Sequence, residues 1–336
     1  MSAANGQMTL DRGRDGQLRG HAEWVAAEFA RRASAGQLDL PLPGHGRTND
    51  RWKALAALAA EDLSLARLAE GHADAVAILS ELDGPTPAAG SRWGVWAAQP
   101  PGPSLSARPA AATWLLNGVK QYCSGAYTCT DVLVTAAAPD GPRLFAVSTR
   151  DLSPIPGTWP ATGMAASDTL NVEFGSITAI PVGLPGDYTA RPGFAHGGAG
   201  VAACWFGGAC AIGQTLLNAA ARRDLGPHAN AHLGRVDLAV TTARTALDKA
   251  AAEIDGDPGD LKGAARIRTL RVKAIAEAVA TEVMDCVGRA LGAGPLCHDE
   301  AHSRRVADLT VYVRQHHAEK SLAELGSLIA QAGAPW

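Results

Sequence analysis

An α+β chain is predicted, with N-terminal helices, a small middle β-barrel or sandwich domain and a C-terminal four-helix bundle. Three observations carry it. Residues 1–82 are rich in Ala, Leu and charge. Residues 84–190 hold Pro and Gly punctuation and short β-branched runs, the pattern of a small barrel or sandwich. Residues 195–330 return to Ala, Leu and charge in four long stretches with short links, the pattern of a bundle. The expected boundaries are 1–90 for a short helical domain, 91–190 for the β-domain and 191–336 for the bundle.

In the first segment His21–Arg32 is long enough for one helix. Asp50 to Leu82 is a stronger prediction: Asp50 is placed to cap it, and Trp52, Leu55, Leu58, Leu63, Leu65, Leu68, Val76 and Leu79 recur at helical spacing, with Gly71 as a break or pinch. Asp83-Gly84-Pro85-Thr86-Pro87 ends any helix. The expected strands are Trp93–Ala98, Thr113–Leu116 entering a turn at Asn117-Gly118, Asp131–Ala136, Arg143–Ser148, Leu170–Phe174 and Ser176–Val182, with turn chemistry at Pro139-Asp140-Gly141-Pro142. The expected bundle helices are Gly197–Arg223, Ala229–Asp255, Leu261–Leu291 and His302–Gly326. The glycines of the first, Gly198, Gly200, Gly207 and Gly208, suit close helix packing; no strand precedes them, which argues against a phosphate-binding loop.

Composition excludes several classes. Among 336 residues, 30 Lys and Arg against 33 Asp and Glu give a net charge of −3, without an electrostatic drive toward nucleic acid or an anionic membrane. No uninterrupted apolar run reaches the ~20 residues of a membrane span, and the first twenty residues lack a signal-peptide core. A cytoplasmic protein is expected. Cys123, Cys129, Cys204, Cys210, Cys286 and Cys297 form no C-x-x-C pair, so free and mostly buried thiols are expected, with no metal.

Particular segments carry more. Trp114–Ala126 reads WLLNGVKQYCSGA and leads into Asp131-Val132-Leu133-Val134. Thr158–Ser167 reads TWPATGMAAS. Gly292-Ala293-Gly294-Pro295-Leu296 is followed by Arg305 and Asp308. In this order, from about residue 50 to 330, they resemble the acyl-CoA dehydrogenase superfamily, in a shortened form. The resemblance implies a flavoprotein with FAD, or FMN, as cofactor. It matches Ser124 to a hydroxyl beside the flavin and Tyr122 to the aromatic covering one ring face. By residue chemistry alone these are a turn hydroxyl and a core aromatic. Trp96–Ser104 (WAAQPPGPS) stands at the other flavin strand; Ala98 replaces a hydroxyl there, Ser104 suits a phosphate, and the three prolines remove amide donors. Arg222 and Arg223 stand where the family has a pyrophosphate-binding arginine, and they equally suit a helix C-terminus.

Dehydrogenation needs a carboxylate base within reach of the substrate's α-proton. One family position lies on the first bundle helix, yet residues 191–223 contain no Asp or Glu. The other falls eight residues after Asp308, on His316, with His317 adjacent and Glu319 a turn away. A histidine there resembles the flavin monooxygenases of this fold, including the dibenzothiophene-monooxygenase-like branch; His72 is similar to another histidine of those members. The resemblance implies an oxidoreductase acting on a small acyl-thioester-like or aromatic substrate, with His316, His317 and Glu319 as catalytic candidates. One alternative is a monooxygenase using flavin reduced by a separate flavin reductase, with His316 as acid/base. Another is a non-catalytic partner or scaffold subunit. A homodimer or homotetramer is implied, through the bundle.

Overall fold

The computed structural model describes residues 3–102, 104–111 and 113–333, with side chains from residue 19 onward within that set. Pro103, third of the prolines in the loop before β2, lies outside the described residues, as do the side chains of the N-terminal eighteen. The helices are α1 (Ala3–Ser34), α2 (Thr48–Glu61), α3 (Leu63–Glu81), α4 (Asp187–Ala190), α5 (Pro192–Arg222), α6 (Gly226–Gly256), α7 (Ala265–Leu291), α8 (Gly294–His298), α9 (Glu300–Tyr312) and α10 (Ala318–Ala332). The strands are β1 (Trp93–Trp96), β2 (Leu105–Ala110), β3 (Thr113–Cys123), β4 (Asp131–Ala138), β5 (Gly141–Ser148), β6 (Ser153–Ile155) and β7 (Leu170–Val182). The described chain forms two compact units. One holds the described residues from 3 to 39 and 71 to 185; the other holds 40–70 and 186–333.

The first unit is built on a closed barrel. β4 pairs with β2, β2 with β3, β3 with β7, β7 with β5, and β5 returns to β4. Closure leaves no long open edge. One edge of β4 is shared: β1 runs parallel to it from Trp93↔Asp131 to Trp96↔Val134, whereas β2 meets it only at Ser106↔Ala137. Between them the chain leaves the sheet over residues 97–104. That interruption matters below, because it uncovers stretches of β3 and β4. Residues 132–136 of β4 are buried in succession, as a strand covered on both faces requires. Trp96, Leu116, Leu133, Phe145 and Phe174 are among the core residues, and Trp96 meets Phe174 edge-on at 6.5 Å.

Asn117-Gly118 is not the turn its sequence suggests. β3 runs through it, with a register shift between Leu116 and Asn117, and the reversal comes after β2, where Ala111 has φ +51°. Gly118 has φ +121°, and a Cβ there would stand 2.3 Å from the Ser104 carbonyl oxygen. Glycine at this position lets β3 pass directly under the end of the 97–104 loop. The two strands expected at 170–174 and 176–182 are one, since Ser176 continues it with φ +60° while its N–H donates to Asn117 Oδ1 at 2.9 Å. β2 was not expected, because Pro109 weakens a strand pattern.

The helix expected over 50–82 is two helices. Asp62 leaves helical geometry at φ −155°, ψ 129°, and its Oδ1 accepts from Leu65 N–H at 2.9 Å, capping α3. Asp50 is no cap; it pairs with Arg47 at 2.9 Å, while Asp255 of α6 accepts from the Thr48 N–H and hydroxyl at the start of α2. Gly71 does not interrupt α3. We expect Asp62→Ala to cost about 1 kcal/mol of stability, the usual worth of an N-cap, measured by urea unfolding; an unchanged midpoint would show that the cap is redundant.

The second unit is helical. α5 packs against α2, α6 and α7. By length and composition it resembles a membrane span, but 67% of its most apolar window is buried, as in a core helix. The expected helix 302–326 is broken. α9 ends at Tyr312, a 3₁₀ turn follows over Val313–Gln315, and His316 is extended at φ −79°, ψ 125° before α10 begins. None of the six cysteines is in a disulfide; four are buried, Cys210 is half-buried and Cys297 exposed.

Candidate functional site

In the barrel unit, the interruption between β1 and β2 opens a cleft of about 250 Å³. Ala98, Gln99, Pro100 and Ser104 form its rim, and Val119, Lys120, Gln121, Thr135 and Ala136 line the uncovered stretches of β3 and β4. Ala98 and Ser104 are exposed there. Ala98 brings no hydroxyl, and prolines supply no N–H, so Ser104, Thr135 and the two glutamines are the neutral polar side chains among the described residues of the rim and wall.

At the end of β3 the chain turns sharply. Tyr122 is held at φ +59°, uncommon for a bulky residue, and its ring is half exposed. It meets Trp159 edge-on at 6.4 Å, and Trp159 is itself tied by its indole N–H to the Gly163 carbonyl at 3.1 Å. Tyr122 is therefore a presented aromatic surface, not the core residue that its type alone suggests. Ser124 follows, half-buried. Thr169 Oγ1 donates to its Oγ at 3.0 Å, which leaves the Ser124 hydroxyl hydrogen free to donate elsewhere. Its backbone is pinned as well: Trp96 Nε1 donates to Ser124 O at 2.9 Å, and Gly125 and Ala126 donate to the carbonyls of Ser167 and Asp168. Burial raises the Asp168 carboxyl above its ordinary range even though Tyr127 N–H donates to it at 2.6 Å. Trp159, Asp168 and Thr169 were not among the expected site residues, although the first lies inside a motif and the others lie just past it.

In the helical unit, the break before α10 decides the fate of the C-terminal candidates. A continuous helix would place His316 and Glu319 on one face. The break separates them: His316 is only 4% exposed, whereas His317 and Glu319 are exposed. His316 meets Trp205 of α5 edge-on at 6.4 Å, Tyr312 meets the same indole at 6.2 Å, and the Lys273 ammonium of α7 lies 5.5 Å from its centroid. Neither ring nitrogen of His316 has a hydrogen-bond partner among the described residues, nor does Trp205 Nε1. A buried group left so costs stability on the order of 1–3 kcal/mol. Burial pushes the His316 pKa down, and Lys273 pushes the same way; Glu277 opposes, but it is paired with Arg314. His316 is therefore a neutral imidazole near pH 7, with one donor and one acceptor nitrogen both unspent. Burial also lowers Lys273, partly offset by Glu70, which forms a buried ion pair with Arg67 at 2.5 Å.

Other candidates lie elsewhere. Arg222 and Arg223 are exposed at the C-terminal end of α5 and make no ion pair among the described residues. His72 is buried in the barrel unit, where its Nδ1 accepts from Trp93 N–H at 3.1 Å and its ring packs on Phe29. That bond occupies it structurally. Among the described residues, no group of three His, Cys, Asp or Glu side chains is placed to hold a metal.

No family model and no curated protein matches the sequence. Solved structures do match the fold. The chain is similar to KijD3 in complex with dTDP (TM-score 0.76, 19% identity, 95% of this chain and 96% of that one). It is also similar to FMN-bound TdsC from Paenibacillus sp. A11-2 (0.74, 16%, 95% and 98%). A third is the nitrososynthase from Micromonospora carbonacea var. africana (0.71, 21%, 96% and 96%). Over nearly its whole length the chain therefore shares one fold with these proteins, an acyl-CoA dehydrogenase-like fold of helices and a small barrel.

Proposed function

We propose that this protein is a flavin-dependent monooxygenase that acts on a small aromatic or carbonyl substrate, uses FMN reduced by a separate flavin reductase, and relies on His316 as its acid/base. The single observation that carries this reading is the buried imidazole of His316 with both nitrogens unspent, at the position that the resemblance matches to a dehydrogenase's carboxylate base. The absence of any Asp or Glu over residues 191–223 and the outward placement of Glu319 weigh against acyl dehydrogenation. The similar structures carry FMN and indole in one case, and FMN with a dTDP-amino-ketosugar in another, which favours FMN over the FAD suggested by resemblance alone. The outward Arg222 and Arg223 give a second phosphate of FAD no prepared partner within their own helix end.

The residues of the barrel unit fit a flavin. Tyr122 offers a ring face held by its backbone and by Trp159, and Ser124 offers a free O–H fixed by Thr169. Reduced flavin supplies two electrons to O₂, so that one oxygen atom enters the substrate and the other leaves as water. The chain's own part is to orient, through Tyr122 and Ser124, and to move a proton, through His316. A neutral imidazole takes a proton at one nitrogen and returns it from the same atom, without a net change of charge over the cycle. His317 and Glu319 have no role in this reading. A homodimer or homotetramer is part of the proposal.

The test is binding. Under anaerobic conditions, titration with reduced FMN is expected to give saturable binding at one site per chain, tighter than oxidised FMN, and Ser124→Ala is expected to weaken it about fivefold or more, the loss of one hydrogen bond. Binding of neither redox state would overturn the flavin reading and favour a scaffold subunit.

A further inference from the structure

Lys120 is unusual for a barrel residue. It is 5% exposed, yet its ammonium has no carboxylate partner among the described residues. Its Nζ donates to the Thr135 carbonyl at 2.9 Å and to Thr135 Oγ1 at 2.8 Å, both neutral acceptors. An ammonium has three N–H donors, so one remains. A buried charge without a counter-charge is costly, and proteins normally pair it or let a ligand do so. The surroundings say which ligand. The 250 Å³ cleft that Lys120 lines contains no Asp or Glu, and its polar lining includes the hydroxyls of Ser104 and Thr135 and the amides of Gln99 and Gln121. One water needs only about 10–15 Å³, so the cleft has room for a tetrahedral anion and part of a molecule attached to it. Gly118, which admits no side chain, holds the Ser104 end of the rim against β3.

We propose that the Lys120 cleft is an oxyanion-binding site, taking a tetrahedral anion that is either a free phosphate or the phosphate monoester of a larger ligand, with Lys120 as its counter-charge. Burial lowers the Lys120 pKa to about 8, and the one other titratable group whose field reaches it is Cys123, which stays a thiol. The site is therefore charged at pH 7 and fades as the pH rises through about 8. This inference does not depend on the role of His316.

The experiment is trace acetylation of the intact protein with acetic anhydride at pH 8, where about half of the Lys120 amine is free, followed by mass spectrometry. The exposed Lys53, Lys249, Lys262 and Lys320 serve as internal references. Saturating sulfate or inorganic phosphate is expected to slow labelling of Lys120 at least about fivefold, as mass action requires of an occupied site, and to leave the references unchanged. Chloride at equal ionic strength is expected to do nothing. FMN and riboflavin separate the two sources. Protection by FMN at lower concentration than by phosphate, without protection by riboflavin, identifies the monoester; protection by the inorganic anions alone identifies a free oxyanion. Equal protection by riboflavin and FMN would show that a ring, not a phosphate, fills the cleft, and would overturn the proposal. So would protection by none of the probes, or the absence of any labelling at Lys120. As a second measurement, the saturable sulfate-dependent rise in Tm is expected in the wild type and lost in Lys120→Met. If that variant does not fold, the wild-type labelling decides.

Discussion

His316→Gln is expected to lower turnover by about 10²–10⁴-fold, the usual worth of a positioned acid/base, while leaving the dissociation constant of reduced FMN within about twofold. The assay supplies NADH, a flavin reductase, FMN and oxygen, with indole as the aromatic probe and hydroxylated product as the readout. Glutamine matches the size and polarity of the ring but does not titrate, so a packing role and a proton-transfer role separate. If the variant turns over at the wild-type rate, the acid/base assignment fails. A second readout needs no substrate. His316 is buried and neutral, and its pKa lies below the ordinary histidine value of about 6.5. In the unfolded chain the ring takes up a proton below about pH 6.5, whereas in the folded chain it does so only at lower pH. The unfolded state then binds more protons, so the wild type loses stability as the pH falls through this window. The slope from this one group is at most about 1.4 kcal/mol per pH unit. His316→Gln removes that slope, while His302, whose pKa burial also lowers, contributes equally to both proteins. The groups that set the effect around His316 are Lys273, Glu277, His317 and Arg314. Identical pH profiles for the two proteins would show that His316 is not buried as a neutral ring.

Gly207→Ala should be among the most damaging single-methyl additions to the helical unit. A Cβ at Gly207 would lie 2.1 Å from the Ala56 carbonyl oxygen and 2.7 Å from its carbonyl carbon and Cα. These are backbone atoms of α2, and they cannot move without moving the helix. Ordinary overpacking costs about 1–3 kcal/mol, and this contact should cost at least the upper end of that range. Gly198→Ala is the control on the same helix. Its nearest neighbour, Thr269 Cγ2, stands at 3.6 Å, an ordinary contact. That variant should be stable, with up to about 1 kcal/mol gained from helix propensity. Urea unfolding monitored by circular dichroism distinguishes the two. Equal stabilities would mean that α2 and α5 are not in direct backbone contact.

The candidate residues show how differently legible the parts were. Tyr122 and Ser124 stood inside a motif that marks a local turn, and local structure did present them. Thr169, which orients Ser124, lies 45 residues away and comes close only because β7 pairs with β3. Asn117-Gly118 misled for the complementary reason: a strong local turn signal lost to a ladder with β2 on one side and β7 on the other. The break at Asp62 is hidden in the sequence, because a break and a cap of two abutting helices leave the spacing of Leu55, Leu58, Leu63 and Leu65 nearly intact.

The same division holds for the chain as a whole. Its periodicities and turn residues determined that helices flank a short-stranded segment, because those signals act within a few residues of one another. They also determined that α5 lacks carboxylates and carries histidines near the C-terminus, since these are facts of composition. Tertiary structure decided what the histidines became. His316 and His317 are adjacent and chemically alike, and nothing local distinguishes them. The end of α9 and the packing of Trp205 and Tyr312 bury one ring and leave the other in solvent. Tertiary structure likewise made Lys120 a buried charge: closing the barrel from strands far apart in the chain is what removes water from its ammonium, and desolvation is a property of the enclosure.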